Sequence, residues 1–170
     1  VKHGPKHLLA AAEYTNDLFE NIGISSLCHT VFAWSKKYGI DINKQVYSCV
    51  LVNNLLDINW RDGLIEDTDY SLQVLSKNYC TLLFNRLLID KAVTMKLKGG
   101  NTEISHGGDG RFKRSLALQK QWPGVFKLTE HFENEQRNVK IAPSQIWKRF
   151  TQMPIEKNSN YNNLLTFLSE

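Results

Sequence analysis

The strongest constraint on this chain's fold is one long periodic segment, DTDYSLQVLSKNYCTLLFNRLLIDKAVTMK, at residues 67–96. Thr68 or Asp69 can cap a helix, and Leu72, Leu75, Tyr79, Leu82 and Leu83 recur at spacings that put them on one stripe. Gly99-Gly100 then supplies a stop. The spacing predicts one helix from Tyr70 to about Lys96. Its second half, LLFNRLLI, is apolar on nearly every side and so should cross the centre of the core.

The remaining segments are read around this element. Pro5 suits a first helical turn, and KHLLAAAEYTNDLFENI continues to a stop at Gly23. A second helix is expected from Ser25 or Ser26 to Gly39, with Leu27, Val31, Trp34 and Tyr38 inward. In QVYSCVLVNNLLDINW, Val46, Val50 and Val52 favour a strand, whereas length and Leu55/Leu56 favour a helix, which is the choice made here. Asp62-Gly63 is a turn. RFKRSLALQKQW and VFKLTEHFENEQ each fit a helix or a strand, with Pro123-Gly124 between them. Ser144 caps a helix over SQIWKRFTQM that ends at Pro154, and a last amphipathic segment from Ser159 carries Leu164, Leu165 and Leu168.

The expected fold is therefore mainly α: a single helical domain of about five to seven helices, with an α+β variant in which residues 46–52, 111–118 and 125–132 form a small sheet. Residues 1–98 form a helical core region, 99–110 a Gly-rich loop, and 111–170 a basic C-terminal region packed on the same core. A chain of 170 residues can bury roughly 70% of its unfolded surface without staples. Cys28, Cys49 and Cys80 sit singly in apolar runs and read as reduced core thiols. No apolar run reaches the roughly 18 residues of a membrane helix, and VKHGPKH lacks a signal peptide's apolar centre. The expected location is cytoplasmic, or a host-cell interior, and not secreted. A start at Val is compatible with a piece of a longer protein, whose catalytic domain could then lie elsewhere.

Charge is unevenly spread. The chain carries +4 in total. Residues 1–89 hold 8 Lys/Arg against 9 Asp/Glu, residues 90–149 hold 12 against 6, and residues 150–170 hold 1 against 2. An excess confined to one stretch suggests a polyanionic partner. Within it, KLKGGNTEISHGGDGRFKRS has five of the ten glycines. No Gly-Lys-Ser/Thr completes a phosphate loop, and Lys113 stands where a dinucleotide fingerprint needs its third glycine. What remains is a flexible hinge between cations, with Phe112 offering a stacking face.

The expected contact surface is Lys96, Lys98, Arg111, Phe112, Lys113, Arg114, Lys120, Lys127, Lys148 and Arg149. Such a surface neutralises phosphates without reading a base code. The functional expectation is a non-enzymatic nucleic-acid-associated domain, DNA or RNA undecided. One alternative is a protein interaction or oligomerisation module meeting an acidic protein partner. The other is a small nuclease, with His106 as base and Arg111 stabilising phosphorane charge.

No metal site, cofactor or catalytic residue is assigned. Gly4 and Pro5 break the His3/His7 pair, and Cys28-His29 has no second ligand pair. His29 is read as a structural histidine. Glu130 to Arg137 lacks the Lys of a metal-dependent nuclease and reads as a solvated acidic helix face. Trp34, Trp60, Trp122 and Trp147 are expected as core or interface anchors.

Overall fold

The computed structural model describes residues 4–61, 65–91, 110–125, 128–133, 136–141 and 143–163. In chain order its elements are α1 (Pro5–Asn16), β1 (Ile22–His29), α2 (Thr30–Ala33), β2 (Ile40–Ile42), β3 (Cys49–Val52), α3 (Glu66–Ser76), β4 (Cys80–Ile89), α4 (Gly110–Gln121), β5 (Leu128–Glu133), β6 (Gln136–Ile141) and α5 (Pro143–Lys148). A four-stranded sheet in the order β2-β4-β1-β3 replaces the expected helical core. β1 and β4 are parallel neighbours, while β3 pairs antiparallel with β1 and β2 antiparallel with β4. β5 and β6 form a separate antiparallel pair, from Leu128↔Ile141 to Glu133↔Gln136.

The expected long helix is two elements. α3 ends at Ser76 in a Schellman arrangement: Tyr79 N–H donates to Val74 O at 3.2 Å and Asn78 N–H to Leu75 O at 3.1 Å. Asn78 takes the left-handed conformation, φ 63°, that such a cap requires. The chain then enters β4. Leu82 and Phe84 face the cluster of Ala12, Ile22, Leu27 and Cys80 under α1, whereas Leu83 faces Ile24, Cys28, Tyr70 and Val74 under α3. A central strand buried on both faces shows a continuous apolar run rather than alternation, and this explains the helical reading of LLFNRLLI.

The same reason applies to β1. All eight of its residues are buried, so the expected helix over 25–39 becomes a strand followed by the four-residue α2. Trp34 is 96% exposed instead of inward. Gly23, expected to stop a helix, lies inside β1 because α3 crosses close above it. A Cβ there would stand 2.6 Å from Val74 Cγ1 and 3.0 Å from Leu56 Cδ1.

Of the expected small sheet, residues 49–52 belong to β3 in the main sheet, residues 111–118 are helical in α4, and residues 128–132 lie in β5. Of the Glu130–Arg137 segment, residues 130–133 lie in β5 and residues 136–137 in β6 rather than on a helix. α1 does begin at Pro5, and α5 opens at Pro143, one residue before the expected cap. Residues 159–163 are helical, while Leu164, Leu165 and Leu168 lie outside the described residues.

A third core cluster joins Leu72 and Leu75 of α3 to Leu118 of α4 and to Ile146 and Trp147 of α5. The chain after α5 then runs along the amino ends of β1 and β4. Asn21 Nδ2 donates to Pro154 O at 3.0 Å, and Asn43 Nδ2 to Met153 O at 2.8 Å and Phe150 O at 3.0 Å. Cys28 and Cys80 are buried free thiols, and Cys49 is half-buried and also free. Among the described residues no helix is long and apolar enough to cross a membrane.

Candidate active site

Two parallel strands leave their last carbonyls and the residues after them at one edge of the sheet. In open α/β sheets this carboxyl edge is where ligands bind. Here β1 and β4 finish side by side with His29 registered against Ile89. The next residue of each strand completes the edge: Thr30 Oγ1 donates to Asp90 Oδ1 at 3.3 Å, across 60 residues of sequence. The bond ties the two strand tips together and orients a carboxylate that is otherwise exposed.

His29 is the capping residue of α2. Its Nδ1 accepts from Val31 N–H at 3.1 Å and lies 3.3 Å from Thr30 Oγ1. The ring is packed edge-on against Phe32, with centroids 6.0 Å apart, and Phe32 packs in the same manner on Tyr47 at 5.9 Å. Burial, followed by the neighbouring Cys28 and Asp41, pushes the Tyr47 phenol up to about 12. It is therefore neutral at physiological pH.

An apolar pocket of about 300 Å³ opens beside Asp90. The first turns of α1 (Pro5, Leu8, Leu9) roof it, and Leu27, Cys49, Leu88 and Ile89 line the rest. Among the described residues Asp90 is the one acidic residue in its lining. An apolar pocket with a single oriented carboxylate at the rim is a binding-site arrangement. Among the described residues no three His, Cys, Asp or Glu side chains converge to hold a metal ion.

A larger cleft of about 510 Å³ lies at the opposite end of β1, between α1 and the end of β3. Among the described residues Glu13, Asp17 and Glu20 line it together with Asn16 and Asn53, and no cation does. Three carboxylates without a counter-charge disfavour an anionic ligand. The carboxyl edge is the better candidate on both polarity and strand direction.

The residues singled out from the sequence lie elsewhere. Lys96, Lys98 and Lys127 are outside the described residues, as are His106 and the Gly-rich segment around it. Arg111 is the second residue of α4, in which Phe112 and Arg114 are half-buried and Lys113 and, in the last turn, Lys120 are exposed. Lys148 and Arg149 are exposed at the end of α5. Arg149 Nη2 donates to Gly124 O at 3.1 Å and so fastens the end of α5 to the turn after α4.

Thr30 and Asp90 were missed, whereas His29, read as a structural histidine, is buried and caps α2. The available signal was an acidic residue directly after an apolar run, in LLID, which points to a sheet edge only once the run is recognised as a strand.

The model of one protein family, described as TAGT, TET-associated glycosyltransferase, matches residues 4–100, a span that includes α1 to β4. No curated protein and no solved structure matches the chain. A glycosyltransferase family overturns the expectation of a non-enzymatic nucleic-acid-associated domain. The basic residues that carried that expectation are mostly on α4 and α5, beyond the matched span.

Proposed function

The chain belongs to the TET-associated glycosyltransferase family, and on that premise we propose that it moves a glycosyl group from an activated sugar donor to an acceptor hydroxyl at the carboxyl edge of β1 and β4. In such a transfer the bond from the anomeric carbon to the leaving phosphate oxygen breaks, and a bond to the acceptor oxygen forms. The acceptor proton must go to a base. Positive charge develops on the sugar in the transition state.

Asp90 suits both requirements. Its carboxylate, held at Oδ1 by Thr30, can stabilise the developing charge and take the acceptor proton. The apolar pocket next to it limits access of water, which would otherwise compete with the acceptor. The observation that carries the reading is that the matched span contains both strand tips, the Thr30–Asp90 bond and every residue lining that pocket.

The test incubates the full chain with a panel of nucleoside diphosphate sugars in buffer containing Mg²⁺ and Mn²⁺ and measures nucleoside diphosphate release. Release with at least one donor is expected, with a fall of roughly 100-fold or more in Asp90→Asn at an unchanged circular dichroism spectrum. An undiminished rate in that variant would remove Asp90 from the chemistry.

A further inference from the structure

The pocket beside Asp90 is chemically one-sided. Its roof is the aliphatic surface of the first turns of α1, and Leu27, Leu88 and Ile89 line it from the two parallel strands. Of its lining side chains only the Cys49 thiol and the Asp90 carboxylate carry a polar atom, and a thiol is a weak partner. Each hydroxyl of a sugar or polyol buried against this lining would lose its water without gaining a partner, which costs roughly five- to a hundredfold in affinity. Each methylene buried there gains roughly fourfold. The phosphates of a sugar donor fit no better, because the lining among the described residues holds no cation and Asp90 would repel them.

We propose that this pocket holds the body of the acceptor, and that the acceptor is a neutral primary alcohol with an aliphatic body of about six carbons or more. The size follows from the volume of about 300 Å³, roughly twice that of a cavity that takes one benzene ring. The hydroxyl end meets Asp90. Thr30 donates to Oδ1, and among the described residues no hydrogen bond is made to Oδ2, which therefore accepts from the acceptor O–H. The assignment rests on the transfer proposed above and names what that transfer acts on. As the acceptor oxygen bonds to the anomeric carbon, its proton passes to Asp90 and the nucleoside diphosphate leaves with the electrons of the broken bond.

Binding is measured first without any sugar donor, so that it is read apart from the transfer. The full 170-residue chain, labelled with ¹⁵N, is titrated at pH 7.5 with 1-propanol, 1-butanol, 1-hexanol, hexanoate and glycerol. The alcohols should move the amides of Leu27, Cys49, Leu88, Ile89 and Asp90, with affinity rising roughly fourfold per added methylene. Hexanoate should bind about fivefold or more weakly than 1-hexanol, and Asp90→Asn should narrow that gap. Cys49→Phe, which fills the pocket from β3, should weaken 1-hexanol roughly tenfold. Where that variant does not fold, Leu9→Trp at the partly exposed roof makes the same test.

Affinity that does not depend on chain length would overturn the proposal. So would glycerol moving these amides as strongly as 1-hexanol, or no movement with any alcohol. With a nucleoside diphosphate sugar added, mass spectrometry should find the hexyl glycoside. Release of nucleoside diphosphate without glycosylation of bound 1-hexanol would overturn the acceptor role. A chain that binds 1-hexanol but releases nucleoside diphosphate from no donor would refute the transfer and the acceptor role together, whereas the apolar site stands on its own titration.

Discussion

Trp122 Nε1 donates a 2.6 Å hydrogen bond to Asp69 Oδ1, linking the chain just after α4 to the first turn of α3. Asp69 is 4% exposed and also accepts from Arg61 through Nε and Nη2 and from Gln73 Nε2 at 2.9 Å. The Arg61 guanidinium in turn lies 5.1 Å over the Trp122 ring. One buried carboxylate thus gathers a cation, an indole and an amide, and it fastens α4 to the family-matched part of the chain.

Removing either side of that contact should cost stability without touching the carboxyl edge. Trp122→Phe deletes one donor to a charged acceptor and is expected to lose about 1.5–3 kcal/mol. Asp69→Asn leaves Arg61 without its counter-charge, and because Arg61 is partly exposed the loss should stay near about 2–3 kcal/mol. Urea unfolding of both variants measures this. Losses below about 0.5 kcal/mol would show that the cluster does not fasten α4.

Gly23→Ala should destabilise by overpacking. The new methyl would meet Val74 Cγ1 at 2.6 Å, Leu56 Cδ1 at 3.0 Å and Tyr79 Cβ at 3.1 Å, which predicts a cost of about 1–3 kcal/mol. Val74→Ala in the same chain makes room, so the double variant should be more stable than the sum of the two single losses implies. Strict additivity in thermal or urea unfolding would rule out the clash as the cause.

Asn43 should tolerate neither Ala nor Gly, for separable reasons. It is 2% exposed, holds φ at 56°, and donates to two carbonyls of the segment after α5. Asn43→Gly relieves the backbone but loses the hydrogen bonds. Asn43→Ala loses both and should be the less stable of the two by roughly 1 kcal/mol. Equal stabilities would mean that the left-handed backbone carries no strain at this position.

Acid should weaken the fold through Asp41. Its burial opposes ionisation, but hydrogen bonds from Lys36, Lys44 and Asn85, with the Lys36 charge, outweigh that and bring the carboxyl from 3.8 to about 2. Lys36 Nζ lies 2.8 Å and Lys44 Nζ 2.7 Å from its oxygens. A depressed folded-state value gives stability that is complete above the unfolded pKa and lost as pH falls through the folded one. About 1–2 kcal/mol should therefore disappear between roughly pH 5 and pH 2. Asp41→Asn should flatten that part of the stability profile, and an unchanged profile would refute the assignment.

How much of this fold could be read from the sequence depended on how each element is buried. The α1 start at Pro5 was legible because a fixed φ and an absent N–H suit a first turn. β1 and β4 were not, because burial on both faces removes the alternation that marks a strand. Asn78 carried the missing signal: in SLQVLSKNYC it ends α3, but Asn tolerates the left-handed conformation without demanding it, so residues 70–96 read as one helix. That misreading hid Asp90, since a residue at the tip of a strand appeared to lie within a helix. The basic residues attracted attention through their charge, yet the two groups that meet at the carboxyl edge are one hydroxyl and one carboxylate, which no charge pattern singles out.

Hydrogen–deuterium exchange of the full chain, with and without a saturating nucleoside diphosphate sugar, tests the central claim most directly. Donor binding at the carboxyl edge should slow exchange at residues 27–32 and 86–91 and leave residues 13–24, along the acidic cleft, unchanged. Protection confined to residues 13–24 would contradict the account and place the donor in the cleft.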